Sequence, residues 1–179
     1  MAAIRADTHD REKMERWSQG LEGGNGGGFP VCAIFLTSRD DQLAHDIFRK
    51  YRASFEEMDT RFHHLIIFGQ HGISTALTGL LDRWALPLES LPYLAIARGA
   101  GAREITLFKL QPGGHPGPAP ALERESNLDH PWQIILDRIE AAVQKGSATV
   151  DPSGISGAVA VGLGGKSLTA LVKVLLAGV

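Results

Sequence analysis

Cysteine is all but missing from this chain: Cys32 is the only one in 179 residues. A lone thiol excludes an internal disulfide, a Cys-x-x-Cys redox couple and a cysteine-rich metal site. A basic excess is missing too. Lys and Arg number 18 against 20 Asp and Glu, a formal net charge of −2, so the electrostatic footprint of a nucleic-acid binder is not there. The polar opening residues hold no apolar signal core, and the expected setting is cytoplasmic. No G-x-S-x-G elbow marks a hydrolase nucleophile. No H-x-x-x-H or H-x-x-E spacing joins the 7 histidines. The tempting pair, His63 and His64, are strand neighbours that point to opposite faces and do not readily share an ion. No catalytic residue, metal ligand or cofactor is therefore assigned.

What is present is an ordinary globular composition, 44% apolar and 21% charged, at a length that suits one domain. Residues 1–29 read as a peripheral, flexible segment. A short charged helix, Asp7 to Trp17, has Met14 and Trp17 as its apolar anchors. Six glycines in the nine residues 20–28 make a linker. The domain is expected over residues 30–146. Val31 to Thr37 is a continuous apolar run, hence a strand buried on both faces. Ser38 and Asp41 have the spacing of a helix cap box, and a helical stripe follows to about Met58. Residues 62–68 form a second apolar strand. Ile73, Ala76, Leu77, Leu80, Leu81 and Trp84 fit a second helix that Pro87 ends. Residues 92–98 are a third strand. Residues 104–110 alternate polar and apolar side chains, which suggests an antiparallel strand with one wetter face. Residues 111–120, with four prolines and three glycines, are a loop. A third helix opens near Pro131 and closes at Lys145-Gly146. The sum is an α/β domain with a mixed sheet of about four strands flanked by helices.

Residues 147–179 read as a linker, Asp151-Pro152-Ser153-Gly154, and a Gly/Ala/Val/Leu-rich hydrophobic tail. Within the tail, residues 160–167 nearly match the phosphate-binding pattern G-x-x-x-x-G-K-[ST], with Gly165, Lys166 and Ser167 in place and Ala160 for the first glycine. No strand follows to complete a nucleotide site, which argues against phosphate binding there. As one helix, residues 154–179 would run about 39 Å at about 1.5 Å per residue, long enough to cross a bilayer. Gly154, Ala158 and Gly162 repeat at small-xxx-small spacing. Lys166 and Lys173 would then share one face, which suits an interfacial or partner-docked helix better than a span. Packing back on the domain stays open beside these readings.

The order strand, helix, strand, helix, strand, strand, helix, with Leu91-Pro92-Tyr93-Leu94-Ala95-Ile96 opening the third strand, resembles the thioredoxin-like fold. The resemblance covers about residues 30–145. It implies a three-layer sandwich and a cis proline at Pro92 facing the end of the first strand. It also implies a reactive pair just after that strand. Here Ser38-Arg39-Asp40-Asp41 stands in that place, with two carboxylates and no thiol. Carboxylates at a helix start cap it, whereas thiol–disulfide exchange needs a thiolate. Cys32, inside the apolar run, reads as a small buried hydrophobe. His130-Pro131-Trp132 is similar to the start of the last helix in thioredoxin-like accessory proteins of hydrogenase assembly, which lack the redox cysteines and act as chaperones.

The expectation is a redox-inactive, protein-binding module, adaptor or chaperone-like. It would contact a protein partner through Ser38, Asp40, Asp41 and Pro92, or through the tail, with no nucleic acid involved. The alternatives are a glutathione-binding, transferase-like enzyme with Ser38 near the thiol and Pro92 against the peptide backbone, or a protein brought to a membrane or partner by its hydrophobic C-terminal segment.

Overall fold

The structure is a computed structural model that describes residues 2–22, 31–38, 49, 64–109, 134–135, 137–142, 144–147, 150–153, 155 and 158–178. The helix expected up to Met58 lies outside these residues apart from Arg49, which is helical. The Gly-rich tract after residue 22 and the loop 111–120 also lie outside them.

The elements are α1 (Ala2–Glu22), β1 (Cys32–Leu36), β2 (His64–Phe68), α2 (Thr75–Arg83), a 3-10 turn (Leu88–Ser90), β3 (Tyr93–Ala97), β4 (Glu104–Lys109), β5 (Val159–Gly162) and α3 (Leu168–Ala177). They build an α/β domain around one mixed sheet of order β2-β1-β3-β4-β5. β1 runs parallel to β2, and β3, β4 and β5 each pair antiparallel with the strand before them in that order. The sheet thus has five strands rather than about four. A helix at residues 134–135 and 137–142 adds a further element.

Strand parity sorts the core into two layers, because successive side chains leave opposite faces. Cys32, Ile34 and Leu36 join Ile66, Phe68, Tyr93, Ala95, Ala97, Ile105 and Leu107 on one face. There they form a single cluster with Met14 and Trp17 of α1, Leu77 and Leu80 of α2, and Leu171 and Leu175 of α3. Ala33, Phe35, Leu94, Ile96, Thr106 and Phe108 take the other face. All of them are buried. On that side the Thr106 hydroxyl donates to the Val150 carbonyl at 3.0 Å, and Arg98 Nε donates to the Ser147 carbonyl at 2.6 Å. β4 is therefore covered on both faces, not wetter on one. Its single buried hydroxyl is tolerated because it has an acceptor.

Two expectations at the chain's ends are corrected. The N-terminal segment is not a short peripheral helix in a flexible arm. It is a 21-residue helix with Ala6, Met14 and Trp17 buried. The C-terminal segment is neither a separate tail nor one long helix, and of the open readings it takes the one in which it packs back on the domain. β5 pairs with β4 from Val159↔Leu107 to Gly162↔Glu104, and α3 buries Leu168, Leu171, Val172 and Leu175. Gly164 and Gly165 stand at φ +64° and +78°. Two consecutive left-handed residues cannot continue a right-handed helix, so the apolar run breaks into strand, turn and helix. Ala158 and Gly162 accordingly flank and end a strand, and the small-xxx-small spacing has no helix to act on. Lys166 lies in the turn, so it and Lys173 do not share a helix face. Asp151 is the head of a turn in which the Ser153 amide and hydroxyl donate to its carboxylate at 2.9 and 2.8 Å. These bonds hold the Asp151 carboxyl below its ordinary value.

Candidate functional site

Two neighbouring places bear on the candidate residues: the C-terminal end of β1, and the turn between β2 and α2. In open α/β sheets the carboxyl ends of parallel strands are the usual ligand side. β1 and β2 end there together, at Leu36↔Phe68.

At the end of β1, Leu36 pairs with Tyr93. Continued by one residue, that antiparallel register sets Thr37 opposite Pro92. Pro92 is buried and Ser38 is half-buried. The Leu91–Pro92 peptide is cis, as the resemblance implies. The Thr37 amide donates to the Phe68 carbonyl at 3.1 Å, and its hydroxyl to the Ser38 carbonyl at 3.3 Å. The register thus sets Thr37, the residue before Ser38, beside Pro92 at one end of the interior strands β1 and β3. Asp40 and Asp41 lie outside the described residues.

Cys32 is at the other end of β1. Four strand steps separate it from Leu36, about 13 Å at about 3.3 Å per residue. It is fully buried, and desolvation pushes its thiol up to about 12. Thiolate chemistry needs the opposite shift, so Cys32 is a packing residue.

The turn after β2 carries a cluster that sequence reasoning missed. α2 has no acidic residue in its own first turn, yet its start is met by two carboxylates from α1. Asp7 Oδ1 accepts from the Thr75 amide at 2.6 Å and from its hydroxyl at 2.9 Å. Asp10, 1% exposed, accepts through Oδ2 from the Ser74 hydroxyl at 2.5 Å and from the Gly69 amide at 3.2 Å. Ser74 is the N-cap, and its Oγ accepts from the Leu77 amide at 3.1 Å. Negative charge at a helix start is favourable, so α1 supplies electrostatically what α2 lacks. Lys13 extends the contact, its Nζ donating to Gln70 Oε1 at 3.0 Å and to the Ile67 carbonyl at 3.4 Å. Burial draws the Lys13 ammonium below its usual value, and Asp10 acts in the opposite sense. His9 of α1 meets His71 of the turn edge to face, with ring centroids 4.0 Å apart.

The two places touch through Gly69. It sits at φ +86°, and a Cβ built there would lie 1.8 Å from the Thr37 carbonyl oxygen. Only glycine allows that approach. A chain of contacts therefore runs from Asp10 through Gly69 to Thr37, the residue before Ser38. The sequence does hold a signal for the cluster. Asp7, Asp10, Met14 and Trp17 follow each other at steps of three, four and three, one continuous helical face.

The phosphate-loop-like residues lie elsewhere. Gly165 and Lys166 are exposed in the turn between β5 and α3. Ser167 is the N-cap of α3 and accepts from the Ala170 amide at 3.2 Å. The Leu168 and Thr169 amides donate to the Ala102 and Ala100 carbonyls at 2.8 and 3.1 Å. A phosphate cradle needs free amides at the helix start, and these three are engaged within the fold. Among the described residues, no group of three or more His, Cys, Asp or Glu is placed to hold a metal ion, and no helix is long and apolar enough to cross a membrane.

No protein-family model, curated protein or solved structure matches this chain.

Proposed function

We propose that the chain is a thioredoxin-like, redox-inactive protein-binding module, adaptor or chaperone-like, that engages a protein partner at the C-terminal end of β1. One observation carries the reading. The cis Leu91–Pro92 bond lies where the β1–β3 register runs out, at the C-terminal end of β1 that leads into Ser38, while the only thiol is buried at the opposite end of the same strand. The strand order β2-β1-β3-β4, with a parallel first pair and an antiparallel β3–β4 hairpin, supports the fold part of it. A surface that keeps a reactive place without a reactive group retains binding as its use. The acidic residues Asp40 and Asp41 follow Ser38 in sequence, so the partner surface is expected to be basic.

The test combines chemistry and capture. The full chain should not speed the reduction of insulin disulfides by dithiothreitol. Affinity capture with the wild-type chain should recover a partner that the Asp40→Lys/Asp41→Lys variant loses while its circular dichroism stays the same. Catalysed disulfide exchange would overturn the redox-inactive reading, and an unchanged partner in the double variant would remove this surface from it. Glutathione conjugation to a standard electrophile above the uncatalysed rate would replace the module with an enzyme.

A further inference from the structure

We propose that the His9–His71 contact is a pH-operated latch that holds α1 on the domain at neutral pH and loosens it in mild acid. The inference is independent of what binds at the end of β1. The two rings come from different elements, His9 from α1 and His71 from the turn between β2 and α2. They stand 4.0 Å apart at an interplanar angle of 84°. Neutral imidazoles accept that edge-to-face approach. Two imidazolium rings at the same distance repel each other.

The surroundings sharpen the effect. Lys13 follows His9 by one helical turn and brings a fixed positive charge to the same side. The charges that act on His9 are Lys13 and His71, which disfavour its protonation, and Asp10 and Glu12, which favour it. None comes from β2, α2 or α3 among the described residues. Burial acts first and in the same sense as Lys13 and His71, and together they hold His9 below the ordinary histidine value of 6.5. An undocked α1 returns His9 to that value and so binds more protons in mild acid. Docking is then complete above the ordinary histidine range and weakens as pH falls through it. Histidine is the side chain whose unperturbed titration lies in this window.

α1 also buries Met14 and Trp17 in the core, and the latch acts on the polar contacts beside that burial. The ties of α1 to the β2–α2 turn are polar: Asp7 to Thr75, Asp10 to Ser74 and Gly69, and Lys13 to Gln70. All of them share the helix face next to His9. Loosening α1 uncovers the apolar layer around Ile66 and Phe68. It also removes the carboxylate that fixes Gly69 against Thr37, so the same event reaches the end of β1.

Hydrogen exchange followed by mass spectrometry on the full chain, at pH 7.5 and 5.5 and corrected for the intrinsic rate, tests this. The expected result is a severalfold fall in protection of α1 relative to β1 and β3 in the wild type. That fall should be absent in His71→Gln, whose side chain is exposed, and in His9→Gln. A wild-type α1 that keeps its relative protection overturns the latch. So does a fall that persists in both variants, or one shared equally by α1, β1 and β3.

Discussion

The two ends of the chain make an instructive pair. Both α1 and the β5–α3 segment read from composition as appendages, one charged and one greasy, and both are parts of the same core. Both bury apolar side chains, and they differ in what they add to that burial. α1 inserts Ala6, Met14 and Trp17 and adds a row of carboxylate, hydroxyl and ammonium contacts to the β2–α2 turn. β5–α3 adds a strand to the sheet, buries Leu168, Leu171, Val172 and Leu175, and spends the first amides of α3 on the carbonyls of Ala100 and Ala102. Composition therefore reports how a segment is held, not whether it is held. The difference matters for regulation. Contacts that depend on ionised and titratable groups respond to pH, whereas apolar burial and backbone pairing do not.

The largest effects come from the apolar anchors. Trp17→Ala and Leu171→Ala should each destabilise the fold by about 3–4 kcal/mol, as large-to-small core changes do, measured by urea unfolding of the full chain. A loss below about 1 kcal/mol for Trp17→Ala would return α1 to the status of an arm and break the comparison. Asp10→Ala comes next, at about 2 kcal/mol, since it strands the buried Ser74 hydroxyl and the Gly69 amide. Asp10→Asn, which keeps an acceptor oxygen, should cost less. Equal losses in the two Asp10 variants would show that the carboxylate charge at the start of α2, not hydrogen-bond satisfaction, makes the contact.

The central sheet was legible because β1, β2 and β3 are short apolar runs bounded by turn residues, and α2 carries a clean helical stripe. Observed strand and helix limits fall within a few residues of those expected. The N-terminal end was misread, and the C-terminal end was left open between packing on the domain and docking elsewhere, for physical reasons. Half of the α1 docking stripe is Asp7 and Asp10, and a carboxylate is assumed to face water unless its partner is known. That partner, Ser74, is 64 residues away, and sequence spacing says nothing about such a pair. In the C-terminal segment, apolar content masked Gly164-Gly165, whose left-handed backbone divides it. At the end of β1, the cis bond at Pro92 was expected from the resemblance to the thioredoxin-like fold, and the burial of Cys32 from its place in an apolar strand. The contribution of Gly69 was not, because a close backbone approach leaves no pattern beyond the glycine itself.

The smallest effect expected is at Lys166, and it is informative because it is small. Lys166 is exposed, and its amide donates to the Leu163 carbonyl at 3.2 Å. Beside it, Ser167 caps α3, and the Leu168 and Thr169 amides are held by β3–β4 loop carbonyls. A phosphate could enter only by displacing those bonds, each worth about 1 kcal/mol net. Lys166→Ala should therefore change stability by less than about 0.5 kcal/mol, as surface substitutions do. Millimolar inorganic phosphate should leave the Tm of both proteins where it was. A phosphate-dependent rise in the wild type that Lys166→Ala abolishes would mean that the start of α3 opens to a ligand. The C-terminal segment would then be an adaptable end of the molecule as well, and the contrast with α1 would fail.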